Sequence, residues 1–501
     1  MGHMDATLLQ ERRKKMNEPM NTMQNSVQSK LLNILSFALI SVVFYYMAYY
    51  SVSDLLPSSV PVHHDDYTNY SSAAGGLALS WIRPLSTWLI FIFSSLGPEW
   101  LIWSVRIFTA TYVFLAWKIL IEVVRPRQYW ISLLLFAVAA LCSPIVAEYA
   151  RYTGMVTHMM SGCLGLAAVY CLFKDDRESN NGWLYASVVL LVLSTLAKED
   201  FILFYVFSFV YVMIKSDKPL KPRLLVGLAG LAVSLLMVAG AKFLAASSFL
   251  GASDTQSSYF IDTSIMGVAT TVWRYLTGAG HPAMAGHGQI IAGAMIFASI
   301  ASLIVLIRDR KIPKSLYVVG ATLTLIAPYS VLPNHVNAYY ELIWLPFIIG
   351  AVYVALAELL NTWKPAATRS YAACAALAAL AFWLAITDAP GRLSVAHWYD
   401  AVGSNNARFF KQLEDNKAAI NAAPSVCVYG ANAFSPWYMH SGQYLETVMG
   451  LHTVWNVVAD KSSALYPGFA QGAGSSKGRV VVTDASETNA NCLKLTLAGA
   501  Q

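Results

Sequence analysis

The chain has 501 residues, of which 56% are hydrophobic and only 12% are charged, against about 25% charged residues in ordinary soluble domains. This composition excludes a soluble protein of the same length, which would form two or three domains with far more surface charge. The formal net charge of +6 is not concentrated in one basic patch, so nucleic acid is excluded as a partner.

The apolar residues fall into blocks of the length that a membrane-spanning helix needs, which is about 20 residues. They predict a mainly α-helical, polytopic membrane bundle over residues 32–388, with about eleven spanning helices. The predicted spans lie near residues 32–50, 98–122, 129–147, 156–173, 183–197, 201–214, 224–246, 288–307, 316–332, 341–360 and 371–387.

The loops between these spans alternate in their content of basic residues. With the amino-terminal segment 1–31 in the cytoplasm, the cytoplasmic segments hold 19 Lys and Arg residues, and the five outer loops before the carboxyl-terminal tail hold four. Cytoplasmic loops of membrane proteins carry an excess of Lys and Arg. We therefore predict a cytoplasmic amino terminus and a tail on the opposite, outer side.

Two outer loops are longer than simple turns. Residues 51–97 end in an apolar stretch, 86–96, that is too short to span a membrane and is typical of a helix lying in the interface. Residues 247–287 are rich in Ser, Gly and Ala, and a loop of this length and composition is usually a mobile lid or a disordered segment.

The tail, residues 389–501, has the composition of a small α/β domain packed on the outer face. Residues 398–421 have helix-like composition. Three short segments rich in apolar and β-branched residues, 425–430, 479–483 and 492–497, predict strands that are bounded by turn residues.

The six cysteines divide between the bundle and the tail. Four fall in predicted spans, where Cys behaves as a small apolar residue. Cys427 and Cys492 lie on predicted strands of the tail. In an oxidising compartment they would form a disulfide, and the alternative is a pair of buried thiols.

The first outer loop contains the run His63-His64-Asp65-Asp66. Two adjacent carboxylates repel each other, so one pKa tends to rise, and such a carboxylate can act as general base toward a hydroxyl. A solvated loop or a helix cap is the purely structural alternative. A divalent metal ion held by the two His and two Asp residues is a further alternative, although their spacing matches no established ligand pattern.

Further ionisable residues lie at the outer ends of predicted helices. Lys198 could hold a phosphate while Glu199 or Asp200 orients an acceptor, or the three could form a helix-to-helix turn with snorkelling ends. Arg83 and Arg151 have the same two interpretations, a phosphate clamp or an interfacial anchor.

Residues 333–341 join two predicted spans on the outer side and contain His335, Tyr339 and Tyr340. These side chains suit hydrogen bonding to a sugar and stacking on it, and they suit an aromatic belt equally well. The sequence contains no Walker loop, G-x-S-x-G elbow or Rossmann fingerprint. Cytosolic nucleotide chemistry therefore has no support.

This layout resembles the GT-C membrane glycosyltransferases, which combine an acidic first outer loop, ionisable residues at outer helix ends, a late mobile loop and a soluble carboxyl-terminal domain. More narrowly, the pair Asp65 and Asp66, followed 17 residues later by Arg83-Pro84-Leu85 with Trp81 between, is similar to the serotype-converting glucosyltransferases. Those bacterial enzymes modify the O-antigen of lipopolysaccharide.

The resemblance implies an inverting transfer of a sugar, glucose in the narrower family, from undecaprenyl phosphate to an acceptor hydroxyl. The acceptor would be lipid-linked O-antigen or another surface glycan, at the periplasmic face of the bacterial inner membrane. Asp66 or Asp65 would be the catalytic base. Arg83, Lys198 and Arg151 would hold the lipid phosphate. No cofactor follows with certainty, and a divalent metal ion stays an alternative.

Other functions are compatible with the same sequence. Within the superfamily, the acceptor could be a protein such as a pilin, or aminoarabinose could be transferred to lipid A. A flippase or transporter of lipid-linked sugars without chemistry, or a scaffold, belongs to a different class. Transporters often show internal repeats and broken helices near the midplane, whereas this chain has no repeat and its charged groups gather at one face.

The topology can be tested with reporter fusions. Fusions after residue 178 and after residue 312 should report a cytoplasmic location, and a fusion after residue 500 should report the periplasm, because the Lys and Arg residues alternate between loops. A cytoplasmic carboxyl terminus would contradict the predicted orientation and the placement of the outer loops.

Overall fold

A computed structural model describes residues 28–48, 61, 67, 69–70, 83–124, 128–149, 151–178, 182–244, 260–278, 284–360, 366–439, 441–484 and 492–497. Within these ranges the chain is mainly helical and carries one small parallel sheet near its carboxyl terminus. The helices are α1 (Gln28–Ala48), α2 (Pro84–Leu96), α3 (Pro98–Val124), α4 (Tyr129–Leu141), α5 (Val146–Tyr149), α6 (Met155–Arg177), α7 (Gly182–Ala197), α8 (Ile202–Lys215), α9 (Leu220–Leu244), α10 (Ile265–Leu276), α11 (Ala285–Asp309), α12 (Lys314–Ser330), α13 (Glu341–Leu359), α14 (Ala366–Asp415), α15 (Lys417–Ala422), α16 (Gln443–Thr447) and α17 (Tyr466–Ser475).

Seven helices of the described residues, α1, α3, α6, α9, α11, α13 and α14, are long and apolar enough to cross a membrane. The prediction of a helical membrane bundle is confirmed at this level, and the number eleven stays a prediction. Several other predicted spans coincide with shorter helices. The block 129–147 is interrupted, because α4 ends at Leu141 just before Ser143-Pro144, and proline disfavours helical backbone in the residue before it.

The helices α6 and α13 form the centre of the bundle. In the apolar window of each, 78% of the residues are buried, against 17% in α9, which lies at the edge. Small residues allow close approach in α6: a side chain at Gly162 would meet the ring of Tyr112 at 2.6 Å, and one at Gly165 would meet Phe201 at 2.7 Å. Glycines at helix contacts allow this tight packing between spanning helices.

The helix α14 is 50 residues long, or about 75 Å at 1.5 Å per residue. The sequence predicts a span at 371–387 and helix-like composition over 398–421, and the structure joins the two in one continuous helix up to Asp415. Pro390 lies inside the continuous helix. Proline removes one backbone hydrogen bond, and side chains on one face of α14 hold the helix against the bundle on both sides of this position.

The carboxyl-terminal sheet contains β1 (Ser425–Tyr429), β2 (Val454–Val458), β3 (Val480–Thr483) and β4 (Leu493–Thr496). All the pairings are parallel, in the order β3-β2-β1-β4. The predicted strands at 425–430, 479–483 and 492–497 are confirmed. The sequence missed β2, in which Asn456 interrupts the apolar run.

Part of the loop predicted as a lid is helical. Within residues 260–278, Ser264 caps α10 by accepting a hydrogen bond from the backbone N–H of Gly267 at 3.1 Å. Arg274 Nη1 donates to the carbonyl oxygen of Pro333 at 2.7 Å. The Arg274 hydrogen bond attaches α10 to the segment between α12 and α13. Residues 260–278 therefore do not form a structureless loop.

Cys427 and Cys492 form the disulfide that the sequence predicted, with their Cα atoms 5.6 Å apart. The bond joins β1 to the residue before β4, the edge strand of the sheet. The four cysteines of the bundle are buried and unbonded.

Reduction of this bond, or the substitution Cys427→Ser, should lower the free energy of unfolding of the sheet by about 2–5 kcal/mol. The measurement is limited proteolysis of the tail with increasing denaturant, with Cys374→Ser in the bundle as the control. Alkylation of both tail cysteines in unreduced, denatured protein would show that the bond is absent.

Candidate functional site

Five polar side chains from separate elements meet at one end of the bundle, and we call them the Lys198 cluster: His158, Lys198, Asp200, Tyr329 and Tyr340. The Asp200 carboxylate accepts a hydrogen bond from the Tyr329 hydroxyl at 2.7 Å. Its Oδ2 lies 2.8 Å from His158 Nδ1 and 3.4 Å from Lys198 Nζ. The side chains of His158, Lys198 and Asp200 are only 8–9% exposed.

The local backbone explains how neighbouring residues face different partners. The helix α7 ends at Ala197, Lys198 is extended, and a short 3-10 turn follows from Glu199 to Phe201. Ser161 Oγ of α6 donates to the Lys198 carbonyl oxygen at 2.7 Å. As a result, Lys198 and Asp200 enter the cluster, whereas Glu199 faces Arg83, with 3.7 Å between Glu199 Oε2 and Arg83 Nε.

Burial and charge act against each other in this cluster. Burial lowers the pKa of Lys198 to about 8, although the Asp200 carboxylate opposes the shift. Burial would raise the pKa of Asp200, but Lys198 and the His158 hydrogen bond outweigh it and lower that pKa below its ordinary value. Asp200 is therefore ionised at neutral pH, and Lys198 keeps a proton that it can lose more easily than an exposed lysine.

The predicted sugar-binding residues also lie around this cluster. Tyr340 is 5% exposed, and its ring stacks on Tyr329 with 4.1 Å between centroids. The Tyr340 ring lies 5.1 Å from the His158 ring and 6.0 Å from Lys198 Nζ. His335 Nε2 is 3.2 Å from the Tyr340 hydroxyl. Tyr340 thus covers the Lys198 cluster rather than presenting a free ring face.

Tyr339 and Arg151 make hydrogen bonds to residues outside the Lys198 cluster. Asn337 Nδ2 donates to the Tyr339 hydroxyl at 2.9 Å. Arg151 Nη1 donates to Asp400 Oδ1 of α14 at 2.6 Å. Each predicted phosphate ligand, including Arg83 and Lys198, is therefore paired with a carboxylate.

Asp66, the predicted catalytic base, lies outside the described residues, as do His63, His64 and Asp65. The structure describes neighbours of this four-residue run. Asn406 of α14 donates to the carbonyl oxygen of Pro61 at 2.8 Å. Tyr67, which follows Asp66 and is 1% exposed, donates its hydroxyl to the Phe434 carbonyl oxygen at 2.5 Å. Both flanks of the run therefore contact the carboxyl-terminal part of the chain.

The described residues add no candidate metal-binding site. Among the residues that the structure describes, no group of three or more His, Cys, Asp or Glu side chains could hold a metal ion. The prediction of a metal bound by His63, His64, Asp65 and Asp66 stays a prediction.

A second buried group was missed by sequence reasoning, and we call it the His287 triad: His287, Glu341 and Asp388. His287 Nδ1 lies 2.6 Å from Asp388 Oδ2, and His287 Nε2 contacts Glu341 Oε1. All three side chains are at most 4% exposed. His287 and Asp388 stand one residue outside the predicted spans 288–307 and 371–387, so the sequence does not predict them inside spanning helices. Ionisable residues at the ends of apolar helices were the available signal.

No protein-family model matches the chain, and no curated protein matches its sequence. The likeness to GT-C enzymes therefore depends on the residues and layout of this chain alone.

Glu148 provides a pH-dependent test of the geometry around the site. It lies in the short helix α5, accepts a hydrogen bond from the Tyr399 hydroxyl at 3.3 Å, and burial raises its pKa to about 7. Because the pKa is raised on folding, stability should be lost as pH rises from about 4.5 to about 7. The loss at pH 8 should be at most roughly 3 kcal/mol.

Glu148→Gln should therefore stabilise the protein at pH 8 more than at pH 5, measured by thermal unfolding in detergent. The matched control is Glu414→Gln, since the Glu414 side chain is 58% exposed. An equal effect of Glu148→Gln at both pH values would contradict the buried carboxyl.

Proposed function

We propose that the protein is a membrane glycosyltransferase that transfers a sugar, glucose by its resemblance, from undecaprenyl phosphate to lipid-linked O-antigen or a related glycan. The observation that carries this proposal is the convergence of Arg83, Lys198, Glu199 and Asp200 at one end of the bundle. The sequence assigned the first two to the donor phosphate and the last two to the acceptor. Proximity of these groups is what a transfer between two bound substrates requires.

The site would lie at the periplasmic face of the bacterial inner membrane. The Lys198 cluster occupies the amino-terminal ends of α6 and α13 and the carboxyl-terminal ends of α7 and α12. The charge alternation of the loops puts these ends outside. A lipid-linked sugar presents its phosphate and sugar at this depth, where the helices end.

The reaction would be a single displacement. Asp66 or Asp65 accepts the proton of the acceptor hydroxyl, whose oxygen attacks the anomeric carbon. The bond from that carbon to the phosphate oxygen breaks, and undecaprenyl phosphate leaves with the electron pair. Arg83 and Lys198 would counter the charge that develops on the phosphate. Since both are paired with carboxylates, a bound phosphate would share or replace Glu199 and Asp200 as their partner, and arginine favours phosphate through bidentate hydrogen bonds.

A transporter of lipid-linked sugars is the second candidate, and the His287 triad is the observation that favours it. Chains of Asp, Glu and His inside membrane helices are typical of proton relays. The triad, however, lies in the first turns of α11 and α13, whereas transporter sites lie near the midplane. A protein or lipid A acceptor is distinguished from O-antigen only by the product.

The test is mass spectrometry of lipopolysaccharide and surface proteins from cells with and without the gene. Wild type should add the mass of one hexose to O-antigen. The variant of the residue that acts as base, Asp66→Asn or Asp65→Asn, should lower transfer by at least about 100-fold, because the base is lost while size is kept, and the other variant should show a smaller loss. We assign the larger loss to Asp66→Asn. An unchanged mass of lipopolysaccharide and surface proteins would contradict the function.

The same assay, run in membranes with undecaprenyl phosphoglucose, separates the roles of the cations. Arg83→Gln and Lys198→Gln should mainly impair use of the donor, and Lys494→Gln on the sheet is the matched control. If both Asp variants keep near-normal transfer at matched expression, the base is not in the first loop, and Glu199 and Asp200 become the candidates.

A further inference from the structure

The His287 triad links three helices that are distant in sequence. His287 lies in the first turn of α11, Glu341 begins α13, and Asp388 lies in the middle of α14. The imidazole uses both ring nitrogens, one toward each carboxylate. Glu341 Oε2 also accepts a hydrogen bond from Ser143 Oγ, just beyond α4, at 3.2 Å. One imidazole therefore joins α11, α13 and α14.

A buried ionic group of this kind contributes little net free energy to folding. Removing charged groups from water is costly, and well-packed apolar side chains at the same positions are often as stable or more stable. A buried charge pair is also sensitive to substitution, because loss of one partner leaves the other charge uncompensated. The triad therefore suits a role in which the exact position of its partners matters.

The triad is adjacent to the Lys198 cluster in the chain. Glu341 directly follows the 3-10 turn Ala338–Tyr340, and Tyr340 is the residue whose ring covers His158 and Lys198. Tyr149 additionally donates its hydroxyl to the Tyr339 carbonyl oxygen. Glu341 of the triad is therefore the residue next to the ring that packs on His158 and Lys198.

Asp388, the triad residue of α14, belongs to a row of polar side chains along this helix that we call the polar seam: Asp388, Arg392, Tyr399 and Asn406. Their spacings of 4, 7 and 7 residues are close to whole turns of a helix with about 3.6 residues per turn, so they share one face. Arg392 donates to the Cys142 carbonyl oxygen, Tyr399 to Glu148, and Asn406 to the Pro61 carbonyl oxygen. The face of α14 that carries Asp388 therefore reaches from the triad to the flank of the first outer segment.

We propose that His287 is a positioning residue: through Glu341 and Asp388 it fixes the Tyr340 ring over Lys198 and Asp200, and it ties this turn to α14. The effect on turnover rests on the proposed glycosyl transfer, but the effect on the accessibility of Lys198 does not. Loss of the contact of His287 with Glu341 or with Asp388 should let the turn that carries Tyr340 move. Lys198 should then become exposed and the residues that hold the donor phosphate should be displaced.

The test substitutes Asp388→Asn, which keeps the size of the side chain and removes its charge. The first readout is the rate at which acetic anhydride labels Lys198 in the full-length protein in detergent, followed by peptide mass spectrometry. Labelling of a buried group follows its local opening equilibrium, so the rate should rise by roughly tenfold. The exposed Lys494 in the same digest provides the reference rate.

The matched control is Asp175→Asn. Asp175 is also buried, with 1% side-chain exposure, and Arg223 Nη2 lies 2.9 Å from its Oδ2, but it stands at the opposite end of α6 from His158. Both variants remove one buried, paired carboxylate, so a general loss of bundle stability would raise Lys198 labelling in both. The proposal requires a rise with Asp388→Asn alone. His287→Gln, which keeps one hydrogen bond, replaces Asp388→Asn if that variant does not fold.

The second readout is transfer from undecaprenyl phosphoglucose in membranes. Asp388→Asn should lower kcat by about 10- to 100-fold, and Asp175→Asn should leave it within about twofold. Equal labelling of Lys198 in wild type and Asp388→Asn, or equal labelling in the two variants, would overturn the positioning role. A specific rise in labelling in a protein without any transferase activity would keep the positioning role and reject the proposed function.

Discussion

The buried charged side chains of the Lys198 cluster and the His287 triad stand in opposite-charge groups drawn from different helices, and the contacts between those helices depend on that constraint. A membrane interior penalises an unpaired charge, so an ionisable residue in an apolar helix needs a partner from another helix. At one end these partners form the Lys198 cluster and the His287 triad. At the other end, Asp175 of α6 pairs with Arg223 of α9. The pairings determine which helix ends meet.

The constraint also explains why the candidate site is neutral as it stands. Arg83 pairs with Glu199, and Lys198 pairs with Asp200. The two cations that the proposal assigns to a phosphate are therefore already paired with carboxylates. Such a site is stable without its ligand and still offers cations to an anion that makes better hydrogen bonds. Under the proposed function, the carboxylates would contact an acceptor once the cations have changed partner.

The long helix α14 connects this chemistry to the carboxyl-terminal sheet. Its seam contacts the triad, the end of α4, α5 and the first outer segment, and it leads directly into α15 and β1. Tyr67 and Asn406 join the flanks of the first segment to the carboxyl-terminal part of the chain. The continuous helix α14 and the Tyr67–Phe434 hydrogen bond therefore join the carboxyl-terminal part of the chain to the rest of the described protein.

Composition and periodicity were sufficient for the membrane bundle and for three of the four strands, because blocks of apolar residues and short β-branched runs are local features. The sequence left the Cys427–Cys492 disulfide open against two buried thiols, and the structure joins the two residues. The sequence also predicted the polar residues at helix ends, because each stands in a short polar break between apolar blocks: Arg83, Lys198, Glu199 and Asp200. Which of them pair was decided by the tertiary structure: the backbone turn after Ala197 separates Glu199 from its neighbours. The His287 triad and the continuity of α14 through Pro390 depended entirely on contacts between distant segments, because a single His or Asp beside an apolar block has no sequence pattern that names its partner.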